Sequence, residues 1–215
     1  MALLQERFAE AKSGRGQIVF EIGEPGVGKS RLLFEFRRSL ERETFSWLTG
    51  RCISFGSQMA YLAVIDVLKH YFDVRQEDDE AAVITKIERG VLALGEELRA
   101  ATPFFKYLLS VNPGDETVTK MDAQIRRLKT FEGLRGLVWK LAELKPLVLV
   151  VEDLHWMDKA SEELLLYLAD SCAAARVLLI LTHRPGYVNP FGDRTCAARQ
   201  VLNRLTDQES IRLAE

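Results

Sequence analysis

A chain of 215 residues is long enough for one sizeable core, or a core with a helical appendage, and its 47% hydrophobic and 28% charged content is that of a globular protein. A formal net charge of −2 gives no electrostatic reason to expect nucleic acid or an anionic membrane as partner. The longest apolar runs, Leu147 to Val151 and Val177 to Leu181, are too short to cross a bilayer, and the N-terminus lacks the apolar stretch of a signal peptide. Cys52, Cys172 and Cys196 are scattered and odd in number, which fits neither a disulfide framework nor a zinc site and points to a reducing, cytoplasmic setting.

Residues 2–12 place Leu3, Leu4 and Phe8 at helical spacing between charges, so an amphipathic helix is predicted. Ser13-Gly14-Arg15-Gly16 breaks it, and QIVFEI (17–22) reads as a strand. A glycine-rich loop follows. Arg31 to Glu43 then carries a helical pattern through Leu32, Leu33, Phe36 and Leu40, and FSWLTGRC (45–52) is a second strand. From 53 to 145 helical patterns dominate: Leu62 to Phe72, Ala81 to Leu98, Phe104 to Leu109 and Ile125 to Leu144, with breaks at Pro103 and at Asn112-Pro113-Gly114-Asp115. This stretch reads as a packed helical insertion within one domain spanning 1–215. After Pro146, LVLVV (147–151) and VLLIL (177–181) are continuous apolar runs, the mark of strands buried on both faces of a parallel sheet, with a helix (160–170) between them. Arg199 to Leu202 is a weaker strand, and Gln208 to Glu215 begins a helix. Strands alternating with helices define an α/β layered sheet.

The loop GEPGVGKS (23–30) satisfies G-x-x-x-x-G-K-[ST] between a strand and a helix. Glycines at 23, 26 and 28 permit backbone angles and close approach that let successive N–H groups turn toward a phosphate. The helix that starts near Lys29 aims its free N–H groups and positive dipole end at the same anion. Lys29 adds a charge for the β- and γ-phosphates of ATP, and the Ser30 hydroxyl is a ligand for Mg²⁺. The expected nucleotide-binding set is therefore Gly23, Glu24, Pro25, Gly26, Val27, Gly28, Lys29, Ser30 and Arg31.

Glu152 and Asp153 end the LVLVV strand at its C-terminal edge, where α/β sheets place ligand sites. A P-loop ATPase needs one carboxylate for the magnesium and one to orient the attacking water. By position Glu152 faces the metal and Asp153 the water, and the reverse order is also open. Asp158 precedes SEELLLYL and reads as a helix N-cap, with His155 and Trp156 packing around the site. Arg184 leaves the VLLIL strand at the same edge in Thr182-His183-Arg184, placed to reach the γ-phosphate.

With these elements together, the chain resembles the STAND branch of AAA-like ATPases, in the form attached to class III adenylyl/guanylyl cyclases and found in large LuxR-type regulators. The resemblance runs nearly the whole length, through GEPGVGKSRL (23–32), GRC-S-G (50–56), Tyr61 to Leu68, PLVLVVEDLHWMDKASEELL (146–165) and RVLLILTHRPGY (176–187). It implies a P-loop NTPase fold with a parallel five-stranded sheet ordered 5-1-4-3-2 and the helical insertion between strands 2 and 3. It implies that Arg184 senses the γ-phosphate, that Lys29, Ser30, Glu152 and Asp153 act as described, and that ADP and ATP occupancy switch a covalently linked effector or sensor domain. Self-association dependent on nucleotide is a further possibility. Relatives carry a short G-R-x-x-E segment before the first helix, whereas this chain begins at Met1-Ala2-Leu3 inside that helix, and it stops at Glu215 where a helical lid is due. Both edges read as those of a piece of a longer polypeptide. Two alternative readings share the P-loop: an ATP-dependent binding scaffold without turnover, and a small-molecule kinase.

Overall fold

The structure is a computed structural model and describes residues 1–54 and 59–203. In chain order its elements are α1 (Ala2–Lys12), β1 (Gln17–Ile22), α2 (Lys29–Ser39), β2 (Ser46–Arg51), α3 (Leu62–Tyr71), α4 (Glu80–Leu92), α5 (Thr102–Leu108), α6 (Glu116–Lys120), α7 (Ala123–Leu144), β3 (Leu147–Glu152), α8 (Lys159–Ser171), β4 (Val177–His183) and β5 (Ala197–Val201). The five strands form one parallel sheet in the order β2-β3-β4-β1-β5. This is the expected 5-1-4-3-2 order read from the opposite edge.

The central strands are apolar on both sides because both sides are covered. On one face, Val19, Val148, Val150, Leu178 and Ile180 pack against Leu4 and Phe8 of α1 and Leu33 and Phe36 of α2. On the other, Ile18, Phe20, Leu149, Val151, Leu179 and Leu181 share a core with α3, α4, α5, α7 and α8. The helical insertion therefore does not stand apart; it supplies most of the second layer.

Several boundaries differ from expectation. The helix after the glycine loop starts at Lys29, as the loop reading placed it and two residues ahead of the apolar pattern from Arg31, with Gly28 in left-handed angles (φ 101°) as its N-cap. It ends at Ser39. The pattern from Ala81 to Leu98 is not one helix: α4 stops at Leu92, Gly95 turns the chain at φ 118°, and a tight 3₁₀ turn covers Glu96–Ala101. The five-residue α6 was not anticipated, and it is started by Asp115, whose carboxylate accepts the Thr117 N–H at 2.8 Å. The weak strand falls at Ala197–Val201, and the helix expected from Gln208 lies outside the described residues.

Candidate functional site

The loop between β1 and α2 is built by two kinds of glycine. Gly26 (φ 78°) and Gly28 (φ 101°) occupy the left-handed region, where an L side chain is strained. At Gly23 the constraint is space, since a Cβ would sit 2.6 Å from Val27 Cγ1. The Gly23 N–H donates to the His183 carbonyl (3.1 Å), which fastens the start of the loop to β4. Helix α2 has no side-chain cap and no acid in its first turn, so its free N–H groups and dipole face outward uncompensated.

Pro25, Gly26, Gly28, Lys29, Ser30, Arg31, Asp153 and Arg184 line one cleft of about 360 Å³ at the C-terminal edge of the sheet. Gly23, Glu24 and Val27 contribute backbone to the same turn. The Lys29 ammonium donates to the Gly23 carbonyl at 2.6 Å and the Glu24 carbonyl at 3.1 Å, bent back over the loop it follows. Arg31 pairs with Glu35 at 2.5 Å on the outer side of α2.

The two acids part company at the end of β3. Glu152 is buried, accepts the Ser30 hydroxyl at 3.1 Å on one carboxylate oxygen, and is paired with Arg51 of β2 at 3.2 Å on the other. Its side chain also lines a second cleft of about 510 Å³ that Ser30 shares. Asp153 adopts left-handed angles (φ 62°), which swing it off the strand and into the loop's own cleft. Its N–H donates to the Thr182 hydroxyl of β4 at 3.0 Å, tying the acid-bearing strand end to the arginine-bearing one.

Asp158 caps α8 as expected, accepting the Ser161 N–H (2.8 Å) and hydroxyl (2.6 Å). It also accepts the N–H groups of Tyr61 (3.0 Å) and Leu62 (3.3 Å), so one buried carboxylate caps α8 and α3 together. Asp66, inside α3, accepts the Arg51 N–H at 3.0 Å. The insertion is thereby fastened to the site at two points, and neither was legible in sequence. GRC drew attention to Arg51 but gave it no partner 101 residues away.

His155 packs beside Trp156 with ring centroids 5.1 Å apart, and both ring nitrogens are shielded without a hydrogen-bond partner. Burial, and then the Arg184 charge, hold its pKa below the ordinary 6.5, so the ring is neutral at pH 7. Glu21 in β1 was missed altogether. It is fully buried, neither oxygen has a partner, and burial pushes its pKa up to about 7.

The residues fit a triphosphate with its magnesium. An uncapped helix start, glycines in the angles an anion nest needs, an ammonium and a guanidinium meet in one cleft, with a hydroxyl and a carboxylate 3.1 Å apart at its side. Among the described residues no cluster of three or more His, Cys, Asp or Glu could hold a metal alone.

Sheet order and loop together define an α/β nucleotide-binding domain of the P-loop class. The chain belongs to the AAA ATPase domain family, whose model matches residues 1–180. An uncharacterized protein of Rhizobium meliloti (strain 1021) is 30% identical over 205 residues, covering 94% of this chain and 19% of that protein. The chain thus spans about a fifth of that relative's length. Drosophila ORC bound to DNA shares the fold at a TM-score of 0.50 and 12% identity, over 99% of this chain and 44% of the other. A signal transduction ATPase with numerous domains, carrying a tetratricopeptide repeat sensor, from Pyrococcus horikoshii is similar at a TM-score of 0.42 and 14% identity, over 98% and 24%. Among the described residues no helix is long and apolar enough to cross a membrane.

Proposed function

We propose that this domain binds ATP with Mg²⁺, hydrolyses it slowly, and serves as the nucleotide switch of a longer cytoplasmic signalling protein of the cyclase-associated or transcription-regulator type. The observation that carries the reading is the convergence of Lys29, Ser30, Asp153 and Arg184 on one cleft over the start of α2. Residues 1–215 form one P-loop domain in this reading, with linked sensor or effector domains elsewhere in the polypeptide. The share of the Rhizobium relative that the chain covers is in keeping with that arrangement.

The roles follow from position. Loop amides between Gly26 and Ser30 wrap the phosphates, and Lys29 exchanges its two carbonyl contacts for phosphate oxygens. Ser30 and Glu152, already facing each other, would hold the magnesium. Arg51 keeps the Glu152 carboxylate oriented from its other oxygen. Magnesium supplies charge neutralisation on the phosphate oxygens. Asp153, set apart from Glu152 by its left-handed turn, orients the attacking water, and Arg184 contacts the γ-phosphate. This geometry favours Glu152 for the metal and Asp153 for the water over the reverse.

Phosphate release tests the reading. Wild type should release phosphate from ATP with Mg²⁺, while Lys29→Ala and Asp153→Asn should fall to background, with Asp153→Asn still binding ATP. Equal background release from all three would remove hydrolysis and leave a binding scaffold.

A further inference from the structure

Arg184 has a seat. Among the described residues no ion pair holds its guanidinium, whose central carbon lies 5.6 Å from the centroid of the Trp156 ring. The indole is fixed by the turn beneath it. Asp153 reverses the chain with φ 62°, its own N–H is anchored to the Thr182 hydroxyl at 3.0 Å, and the Trp156 N–H closes the turn on the Asp153 carbonyl at 2.9 Å. The His155 ring packs beside the indole at 5.1 Å. The acid that lines the cleft and the platform under the arginine therefore belong to one short turn, bolted to the strand that carries Arg184.

We infer that Trp156 is a positioning residue for γ-phosphate recognition: its indole face holds Arg184 extended over the cleft, so that the guanidinium meets the third phosphate already ordered. This rests on the reading of Arg184 as the group that contacts that phosphate. The physical basis is preorganisation. A free arginine loses rotamer freedom when it engages a ligand, and one lying on an aromatic face has lost much of it beforehand. The gain accrues to ATP and not to ADP, because ADP offers the arginine nothing to bind. Trp156 thereby tunes the ratio of the two affinities, the quantity on which a nucleotide switch depends.

The test measures ATP and ADP dissociation constants with Mg²⁺ for the 215-residue chain and for Trp156→Leu, Trp156→Phe, Arg184→Ala and the Trp156→Leu/Arg184→Ala double variant. Trp156→Leu should weaken ATP about threefold to tenfold and leave ADP within about twofold, the scale of a partly exposed cation–aromatic contact, and Trp156→Phe should retain most of the ATP affinity. Added to Arg184→Ala, Trp156→Leu should change neither constant further. Equal losses for ATP and ADP, or the same ATP loss with Arg184 already gone, would overturn the inference. An unchanged ATP-to-ADP ratio in Arg184→Ala would bring down the γ-phosphate reading itself, and this inference with it. A normal Arg184→Ala effect beside a silent Trp156→Leu would overturn the inference alone. Should Trp156→Leu not fold, fluorescence decides: with Trp47→Phe and Trp139→Phe, Trp156 is the sole remaining indole. ATP should then shift its emission and ADP should not, and identical spectra would contradict the stacking.

Discussion

Glu21 offers a measurement whose size can be worked out beforehand. It lies on the α1–α2 side of β1, two residues beyond buried Val19 and two before the glycine loop, with both oxygens shielded and unpartnered. Burial disfavours its charged form and raises its pKa from the ordinary 4.5 to about 7. The sign follows directly. The folded state holds the proton more tightly, so Glu21 costs nothing below pH 4.5, and stability is lost as pH rises through 7, after which the loss is complete. At about 1.4 kcal/mol for each tenfold difference in proton affinity, the loss comes to about 3 kcal/mol. Urea unfolding of wild type and Glu21→Gln from pH 4.5 to 8 isolates it, because every other titrating group is common to both. The advantage of Glu21→Gln should grow by about 3 kcal/mol across that range. Parallel stability profiles would mean that the carboxyl is solvated or paired, and the reasoning would fail.

Other expectations can be checked alongside. Lys29→Ala should abolish the rise in melting temperature produced by ATP with Mg²⁺, since a ligand stabilises only the state that binds it; an undiminished shift would contradict the phosphate role of Lys29. Asp158→Ala removes the cap of two helices at once and should cost about 2–4 kcal/mol in urea unfolding, against ~1 for an ordinary single cap. Gly50→Ala should be strongly destabilising by the same assay, because a Cβ there would lie 2.5 Å from the Ala63 carbonyl oxygen and 2.7 Å from Val67 Cγ2, where α3 crosses β2. A neutral result would mean that α3 is set farther from the sheet.

The parts of this molecule that were legible in its sequence are those governed by local rules. LVLVV and VLLIL announced themselves because strands covered on both faces need unbroken apolar runs, QIVFEI was marked off by the glycines on either side, and the glycine-lysine-serine spacing placed the loop between β1 and α2. The strand order came from resemblance and not from any single segment. What escaped notice depends on contacts distant in the chain. Strand position set Glu152 toward the metal and Asp153 toward the water with the reverse left open, and it gave no sign of the left-handed turn at Asp153 that sends one toward Ser30 and Arg51 and the other into the cleft. Asp158 read as a cap for the helix after it, while its second set of bonds reaches back 97 residues to Tyr61. Glu21 sat inside a strand with no nearby signal, because its burial arises from α1 and α2 closing over the sheet. Gly95 was passed over as a breaker since the apolar spacing on either side continues in phase with a helix.

The most direct trial is a crystal structure of the chain with a non-hydrolysable ATP analogue and Mg²⁺. Density for the β- and γ-phosphates should lie inside the turn from Gly23 to Ser30, with Lys29 released from its own loop carbonyls and the metal between Ser30 and Glu152. A triphosphate bound elsewhere on the molecule, with Lys29 still folded onto Gly23 and Glu24, would contradict the assignment of this cleft.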